Sequence, residues 1–189
     1  IYKGRICFRG DNVRDELGAL AIFQEVSAHP TTVQDANCNI AYGALAGHES
    51  QLADAIRAYV QSLLKSPRKT WVGIPPELQP KKWKGTFKRP MCLLERALYG
   101  HPESGGHWEA HSKASQSSVG GRCITEHPSK SWFPTTKLLL TLYVDHLLLT
   151  ESDSDHITVW EVLRKTIIAG EPELSSRFLG HVYNIARIA

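Results

Sequence analysis

The sequence has little cysteine and no paired cysteine spacing. Its four cysteines, Cys7, Cys38, Cys92 and Cys123, lie far apart along a chain of 189 residues. Zinc knuckles and disulfide-rich scaffolds use closely spaced cysteines, so neither is indicated, and reduced, mostly buried thiols are expected. The sequence also has no internal repeat and no low-complexity tract, which argues against a repeat architecture.

Long apolar runs are also missing. The longest lie around 138–144 and 147–149, and Thr141, Asp145 and His146 interrupt them, so no segment has the length of a bilayer-spanning helix. The chain does not open on Met or on the basic-then-apolar layout of a signal peptide, so we expect a fragment of a larger product. An apolar content of 42% and a charged content of 22% fit one globular domain.

The net charge is only +3, but positive charge is concentrated in residues 65–90, called here the basic excursion. This segment carries eight lysines and arginines against Glu77 alone, a local net charge of +7, with Trp71, Trp83 and Phe87 between them. Such a composition suits contacts with nucleic-acid phosphates and bases. A solvated surface loop is the more common explanation of such a composition. Five prolines predict that the segment projects from the body with short strands at most.

The local patterns predict helices and strands in mixed order. Thr31 or Thr32 is a suitable N-cap, and helices are expected at 33–46, 102–118 and 153–169. Strands are expected at 1–9, 71–74, 91–94 and 178–188. The mixed order predicts an α+β fold rather than regular βαβ repetition.

The segment 137–150 is apolar except near its centre. It reads as a β-hairpin with Asp145 and His146 at its tip, or as one buried helix, and periodicity does not decide between them. A carboxylate between apolar runs is costly unless it is paired or bound to a metal, so Asp145 is a candidate site residue. The alternative is that Asp145 lies in an exposed turn.

Two segments resemble the metal-binding motifs of reverse transcriptases. Residues 142–146, Leu-Tyr-Val-Asp-His, resemble the Tyr-X-Asp-Asp box, with His146 in place of the second aspartate. Residues 52–59 resemble the first metal-binding motif of the polymerase palm, in which an aspartate, here Asp54, is followed five residues later by an aromatic, here Tyr59.

Further segments resemble copia-type enzymes in the order found in that family. These are Lys3-Gly4-Arg5, Trp71–Glu77, Ala97–Gly100 followed by Trp108, and Phe178-Leu179-Gly180. On these motifs the chain resembles the fingers and palm of a copia-type retrotransposon reverse transcriptase over nearly all of its length.

The resemblance implies a fold, an activity and a set of site residues. The fold would be a right-hand polymerase palm with fingers across 1–189, with a mixed or antiparallel sheet packed on helices. The activity would be RNA-directed DNA synthesis by two-metal nucleotidyl transfer, with Asp54 and Asp145 as catalytic, metal-binding carboxylates and His146 beside them. Nucleotide contacts would come from Lys3, Arg5, Tyr59, Tyr99 and Gly100.

On the residues alone, several of these positions have ordinary explanations. Tyr59 is also explained as a core aromatic, and Lys3 and Arg5 as solvated charges. The expected partners are an RNA or DNA template-primer and deoxynucleoside triphosphates, with no membrane. By resemblance the chain would act in a cytoplasmic particle or the nucleus, and no RNase H or integrase segment is recognised in it.

His146 puts the activity in question. Mg²⁺ prefers oxygen ligands, so an imidazole in place of a carboxylate should weaken Mg²⁺ binding, and any activity is expected to prefer Mn²⁺. A weakened polymerase and an inactive, nucleic-acid-binding remnant both remain open. A zinc hydrolase is a third alternative, because His107 and His111 lie four residues apart on a predicted helix. The zincin pattern places a glutamate directly after the first histidine, whereas Glu109 lies one position further along the chain.

Overall fold

The structure is a computed structural model that describes residues 6–23, 31–152, 156–175 and 177–183. The helices of these residues are α1 (Val33–Gly43), α2 (Ala58–Gln61), α3 (Ser104–Ser118) and α4 (His156–Leu163). Short 3₁₀ turns lie at Gly10–Asn12, Pro76–Leu78 and Lys81–Trp83. No helix of the described part is long and apolar enough to cross a membrane.

The strands form one large sheet and two small ribbons. They are β1 (His48–Asp54), β2 (Trp71–Gly73), β3 (Met91–Leu93), β4 (Arg122–Ile124), β5 (His127–Phe133), β6 (Leu138–Tyr143), β7 (His146–Ser152), β8 (Glu173–Leu174), β9 (Arg177–Phe178) and β10 (His181–Val182). The sheet has the order β4-β5-β6-β7-β1-β8 and every neighbouring pair is antiparallel. Helices beside an antiparallel sheet confirm the predicted α+β class.

The apolar segment 137–150 forms the β6–β7 hairpin at the centre of the sheet, not a helix. Successive side chains point to opposite faces. Leu140 and Leu149 pack on one face with residues of α3 and α4, whereas Leu148 packs on the other face with α1. Both faces of the hairpin are therefore buried, which explains why its sequence is apolar throughout instead of alternating.

Helix α1 begins where the sequence predicts. The Thr32 hydroxyl accepts the backbone N–H of Asp35 at 3.1 Å, and the Asp35 carboxylate accepts that of Thr32 at 3.0 Å. This reciprocal pair satisfies amide groups that a helix start leaves without partners. The predicted end at Ala46 is wrong, because the helix stops at Gly43. There α1 approaches the sheet so closely that a Cβ atom would lie 2.0 Å from Ser50 Oγ.

The predicted helix at 153–169 is also too long at its C-terminal end. Helix α4 stops at Leu163, and the chain then turns back toward the end of β1. Ala169 forms a bridge with Ala55, and the Gly170 N–H donates to the Asp54 carbonyl at 2.9 Å. These tertiary contacts replace the last helical turns.

Other predicted bounds need smaller corrections. The helix predicted from Pro102 begins at Ser104 and ends at Ser118 as expected. Residues 6–9 of the predicted first strand are not in a sheet, and residues 1–5 lie outside the described residues. The short strands predicted near 71 and 91 are confirmed as β2 and β3. The predicted last strand pair appears as β9 and β10, and residues 184–188 lie outside the described part.

The predicted burial of the cysteines is wrong, because Cys7, Cys38 and Cys123 are exposed and Cys92 is half-buried.

No element is predicted from the sequence at β4 and β5. Strand β5 contains a buried lysine, Lys130, whose Nζ lies 3.2 Å from the buried carboxylate of Asp35. His127 approaches the same carboxylate at 2.6 Å. Burial acts to raise the pKa of Asp35, but hydrogen bonds from Thr32 and Lys130 outweigh it and lower the pKa.

Candidate active site

Strand pairing brings two of the predicted site residues together. Asp54 is the last residue of β1, and the register of β1 with β7 places it directly opposite His146. His146 Nδ1 lies 2.6 Å from Asp54 Oδ1, although the residues are 92 positions apart in sequence. The antiparallel register therefore creates a carboxylate-imidazole pair at one end of the sheet.

The turn between β6 and β7 supplies the second carboxylate. The sequence analysis places Asp145 and His146 at the tip, but the tip consists of Val144 and Asp145, and His146 is the first residue of β7. Val144 has a φ of +52°, which is costly for a β-branched residue.

Two hydrogen bonds hold this turn in place. The Trp108 indole N–H, from α3, donates to the Val144 carbonyl at 2.5 Å. The Ala55 N–H, just after β1, donates to the Asp145 carbonyl at 2.6 Å. The turn is thus fixed from two neighbouring elements, which limits the positions that the Asp145 carboxylate can take.

The His146 ring lies between the two carboxylates. Its Nδ1 contacts Asp54, and its Nε2 lies 3.8 Å from Asp145 Oδ1. The ring is nearly parallel to that of Tyr143, with an interplanar angle of 6° and ring centroids 6.3 Å apart. Two carboxylates around one imidazole give the site a negative charge whatever the protonation of the ring, so it attracts cations.

The donor set fits a divalent cation only in part. Carboxylate oxygens suit Mg²⁺ and Mn²⁺, and the imidazole nitrogen suits Mn²⁺ better than Mg²⁺. No group of three or more His, Cys, Asp or Glu side chains among the described residues is placed to hold a metal ion. His146 Nδ1 lies 2.6 Å from Asp54 Oδ1, so a cation would compete with the imidazole for this oxygen.

Two tyrosine rings are in tilted contact beside this end of the sheet. Tyr59 belongs to α2 and Tyr99 to the turn before α3, and their ring centroids are 4.6 Å apart. Burial raises the pKa of Tyr59, and Tyr99, Asp145 and Tyr143 raise it further. Its hydroxyl therefore stays protonated at neutral pH and lies near the Asp145 charge.

Gly100 makes a close backbone contact. Its φ is +89°, and a Cβ atom would lie 2.0 Å from the Phe8 carbonyl oxygen. The Phe8 N–H donates to the Tyr99 carbonyl at 2.6 Å, so the turn at Tyr99 and Gly100 holds the N-terminal segment. The predicted phosphate-binding residues Lys3 and Arg5 lie outside the described residues.

Asp54 also lines an open cleft of about 360 Å³, together with residues of the segment 170–177. Its charged lining residues are Asp54, Glu171, Glu173 and Arg177. The Glu171 carboxylate accepts one hydrogen bond from each terminal nitrogen of the Arg164 guanidinium, at 2.9 and 2.5 Å. Glu171 and Glu173 are not predicted as site residues, because the two-residue strand β8 is too short to give a recognisable pattern.

The residues that would form a zinc site, His107, Glu109 and His111, are not arranged around a common centre. Glu109 contacts another residue of α3, and His107 contacts the residue just before this helix. Glu109 forms an ion pair with Lys113 at 2.5 Å, one turn along α3. His107 Nε2 lies 3.8 Å from Glu103, and burial lowers the pKa of His111. These contacts fit a helix face packed on the body.

We compared the chain with known protein families, curated proteins and solved structures. No family model, curated protein or solved structure matches the chain. The function is therefore inferred from the arrangement of Asp54, Asp145 and His146 and from the motif resemblance.

Proposed function

We propose that the chain forms the fingers and palm of a copia-type reverse transcriptase, an RNA-directed DNA polymerase weakened by His146. One observation carries the proposal: residues from separate segments that resemble the family's motifs meet at one end of the sheet. These residues are Asp54, Tyr59, Tyr99, Trp108, Asp145 and His146. A chance set of weak motifs would have no reason to converge in space.

The carboxylates would perform the central task of the reaction. Nucleotidyl transfer needs cations between the primer hydroxyl and the triphosphate, and Asp54 and Asp145 would hold them. Bound there, Mg²⁺ or Mn²⁺ would activate the hydroxyl and neutralise charge on the phosphates. Tyr59 would pack under the sugar and exclude a 2′-hydroxyl, and Tyr99 would line the nucleotide pocket with Gly100.

Lys3 and Arg5 would neutralise the triphosphate, as the resemblance implies. The partners would be a template-primer of RNA and DNA and the deoxynucleoside triphosphates. The template-primer would lie across the sheet end that carries Asp54 and Asp145, because the primer hydroxyl must reach the cations.

His146 lowers the expected rate for two reasons. It supplies a nitrogen where the resembling motif has a carboxylate, and it forms a hydrogen bond with Asp54 that a bound cation must displace. Activity with Mn²⁺ should therefore exceed activity with Mg²⁺. The same hydrogen bond favours the second candidate function, a palm that binds nucleic acid without extending a primer.

Primer extension on an RNA template, first with Mg²⁺ and then with Mn²⁺, tests the proposal. The variants are Asp145→Ala, His146→Asp, and the control Glu126→Ala, which removes an exposed carboxylate in the turn between β4 and β5. We expect weak Mn²⁺-dependent extension that Asp145→Ala abolishes, His146→Asp raises about tenfold or more, and Glu126→Ala leaves unchanged.

The opposite results separate the candidates. Binding of template-primer with no extension, even by His146→Asp, would favour the inactive palm. Extension that survives Asp145→Ala would contradict the assignment of the catalytic carboxylates.

A further inference from the structure

The basic excursion is anchored at its base and exposed beyond it. Strands β2 and β3 pair antiparallel from Trp71 opposite Leu93 to Gly73 opposite Met91. The Ile74 N–H then donates to the Pro90 carbonyl at 3.2 Å, which closes the base of the loop. The two 3₁₀ turns of the loop contain no buried residue. The loop therefore presents its side chains to solvent from a fixed base.

The positive charge of the excursion is fully accessible. All its cationic side chains are exposed, and none forms an ion pair with another described residue. They are Lys65, Arg68, Lys69, Lys81, Lys82, Lys84, Lys88 and Arg89. Elsewhere in the described chain cations do pair, as Lys130 does with Asp35 and Arg164 with Glu171. Uncompensated charge of this density attracts a polyanion.

Aromatic side chains stand among these cations. Trp71 is 55% exposed and Phe87 is 54% exposed. Phe87 also packs edge-to-face against Trp83, with ring centroids 6.0 Å apart and an interplanar angle of 82°. This contact supports the Phe87 ring from one side and leaves the other side open. Exposed large apolar groups within a polar surface mark contact sites.

We propose that the basic excursion binds single-stranded nucleic acid without sequence preference, as a surface separate from the Asp54–Asp145 site. Lysines and arginines would contact phosphates, and Phe87 and Trp71 would stack on unpaired bases. A duplex hides the faces of its bases, so the aromatics favour a single strand. The inference does not depend on polymerase activity, because it uses only the charge and exposure of residues 65–90.

The test is fluorescence anisotropy with a labelled oligouridylate of about 15 nucleotides, over a range of salt concentrations. Lys82→Glu/Lys84→Glu is compared with Arg122→Glu/Lys165→Glu, which removes exposed cations elsewhere and changes the net charge from +3 equally. We expect the first pair to weaken binding about tenfold or more and to lower the salt slope by about 1.4, and the second to change binding little.

Phe87→Ala tests the stacking contribution. It should weaken single-strand binding about tenfold and leave duplex binding unchanged, because only unpaired bases can stack. Glu126→Ala, which removes an exposed carboxylate in the turn between β4 and β5, should not weaken binding.

Two results would overturn the inference. Equal weakening by both charge-reversal pairs would mean that net charge alone attracts the strand. Binding to vesicles of anionic lipid but not to the oligonucleotide would assign the surface to a membrane instead. The side chains of Lys82, Lys84, Arg122, Lys165 and Phe87 are all exposed, so their variants should unfold at about the same temperature as the unchanged chain.

Discussion

At the residue scale, His146 decides how the two carboxylates of the site are arranged. Its Nδ1 contacts Asp54 and its Nε2 faces Asp145, so the imidazole offers an N–H to carboxylates that would otherwise need cations or water. A carboxylate at position 146 would bring a third negative group to the same place. The histidine therefore gives Asp54 a hydrogen-bonding partner within the protein.

Trp108 gives a test of how firmly the turn is fixed. Trp108→Phe removes the indole N–H that donates to the Val144 carbonyl and keeps most of the ring volume. We expect a loss of about 1–2 kcal/mol of unfolding free energy, measured by urea denaturation. We also expect broadened or shifted backbone amide NMR signals at Val144 and Asp145, because the turn loses one of its two supports.

Trp160→Phe is the matched control for this change. Trp160 is 3% exposed, close to the 2% of Trp108, and its indole donates to Gln51 Oε1 at 2.8 Å, away from the turn. It should lower stability by a similar amount and leave the amide signals of the turn in place. If both variants disturb the turn equally, the Trp108 hydrogen bond has no special role there.

At the element scale, α1 is attached to the sheet by a buried polar group. Asn39 is fully buried, and the two N–H groups of its side-chain amide share three acceptors at 3.0–3.3 Å, the Leu139 carbonyl, the Thr141 hydroxyl and the Leu148 carbonyl. Its side-chain oxygen accepts from the Thr150 hydroxyl. One residue thus connects the helix to both strands of the central hairpin, and it fixes the position of α1 against them.

Asn39→Ala should therefore be strongly destabilising. The change removes the Asn39 partner of the buried Thr141 hydroxyl, leaves Thr150 with Ser50 alone and opens a cavity, so we expect a loss of about 3 kcal/mol in urea denaturation. Asn37→Ala, an exposed asparagine in the same helix, controls for helix propensity and should change stability by less than about 0.5 kcal/mol. A small effect at Asn39 would show that the polar contacts contribute little net stability.

The elements predicted from sequence are those with local signals. Thr32 and Asp35 mark the start of α1 by their own hydrogen bonds, and the prolines of the basic excursion exclude long regular structure. Strand β5 has no such signal, because its residues 127–133 include Pro, Ser, Lys and His, which are not typical strand formers. Its Lys130 is buried only because Asp35 lies opposite on α1, and local patterns do not reveal distant partners.

In the candidate site too, local signals predict the residues, and contacts between distant segments determine the geometry. Asp54, Asp145 and His146 were chosen from sequence, and the register of β1 with β7 brings them together. The tip of the hairpin was placed one residue late, because the polar pair Asp145-His146 is the stronger turn signal. Strand pairing overrides that signal and puts Val144 in the turn at positive φ. The positive φ of Val144 is locally unfavourable. The hydrogen bonds from the Trp108 indole and the Ala55 N–H to this turn offset that cost.

At the scale of the whole molecule, the N-terminal segment joins the body around a buried histidine. His101 is 3% exposed, and the rings of Phe8 and Phe23 lie 5.2 Å from its ring. Its Nε2 lies 3.2 Å from Thr70 Oγ1, and its Nδ1 accepts the Glu103 N–H. A nitrogen that accepts a backbone N–H carries no proton, so the packing of this segment requires the neutral ring.

The stability of the molecule should therefore fall in mild acid. Burial lowers the pKa of His101 below its ordinary value of 6.5, and Glu103 opposes this only in part. Below pH 6.5 the unfolded chain then binds more protons than the folded chain, so the unfolding free energy decreases as the pH falls toward the folded pKa. Urea denaturation at intervals from about pH 7.5 to about pH 5 measures this slope.

His101→Gln should flatten the slope, since glutamine does not titrate and can still bond to Thr70. His181→Gln changes an exposed histidine and should leave the slope as it is. Burial also lowers the pKa of His111, so some slope should remain in His101→Gln and disappear only when both buried histidines are replaced. If His101→Gln keeps the full slope, the ring is not held neutral by the fold, and the contacts of Phe8 and Phe23 do not depend on its charge.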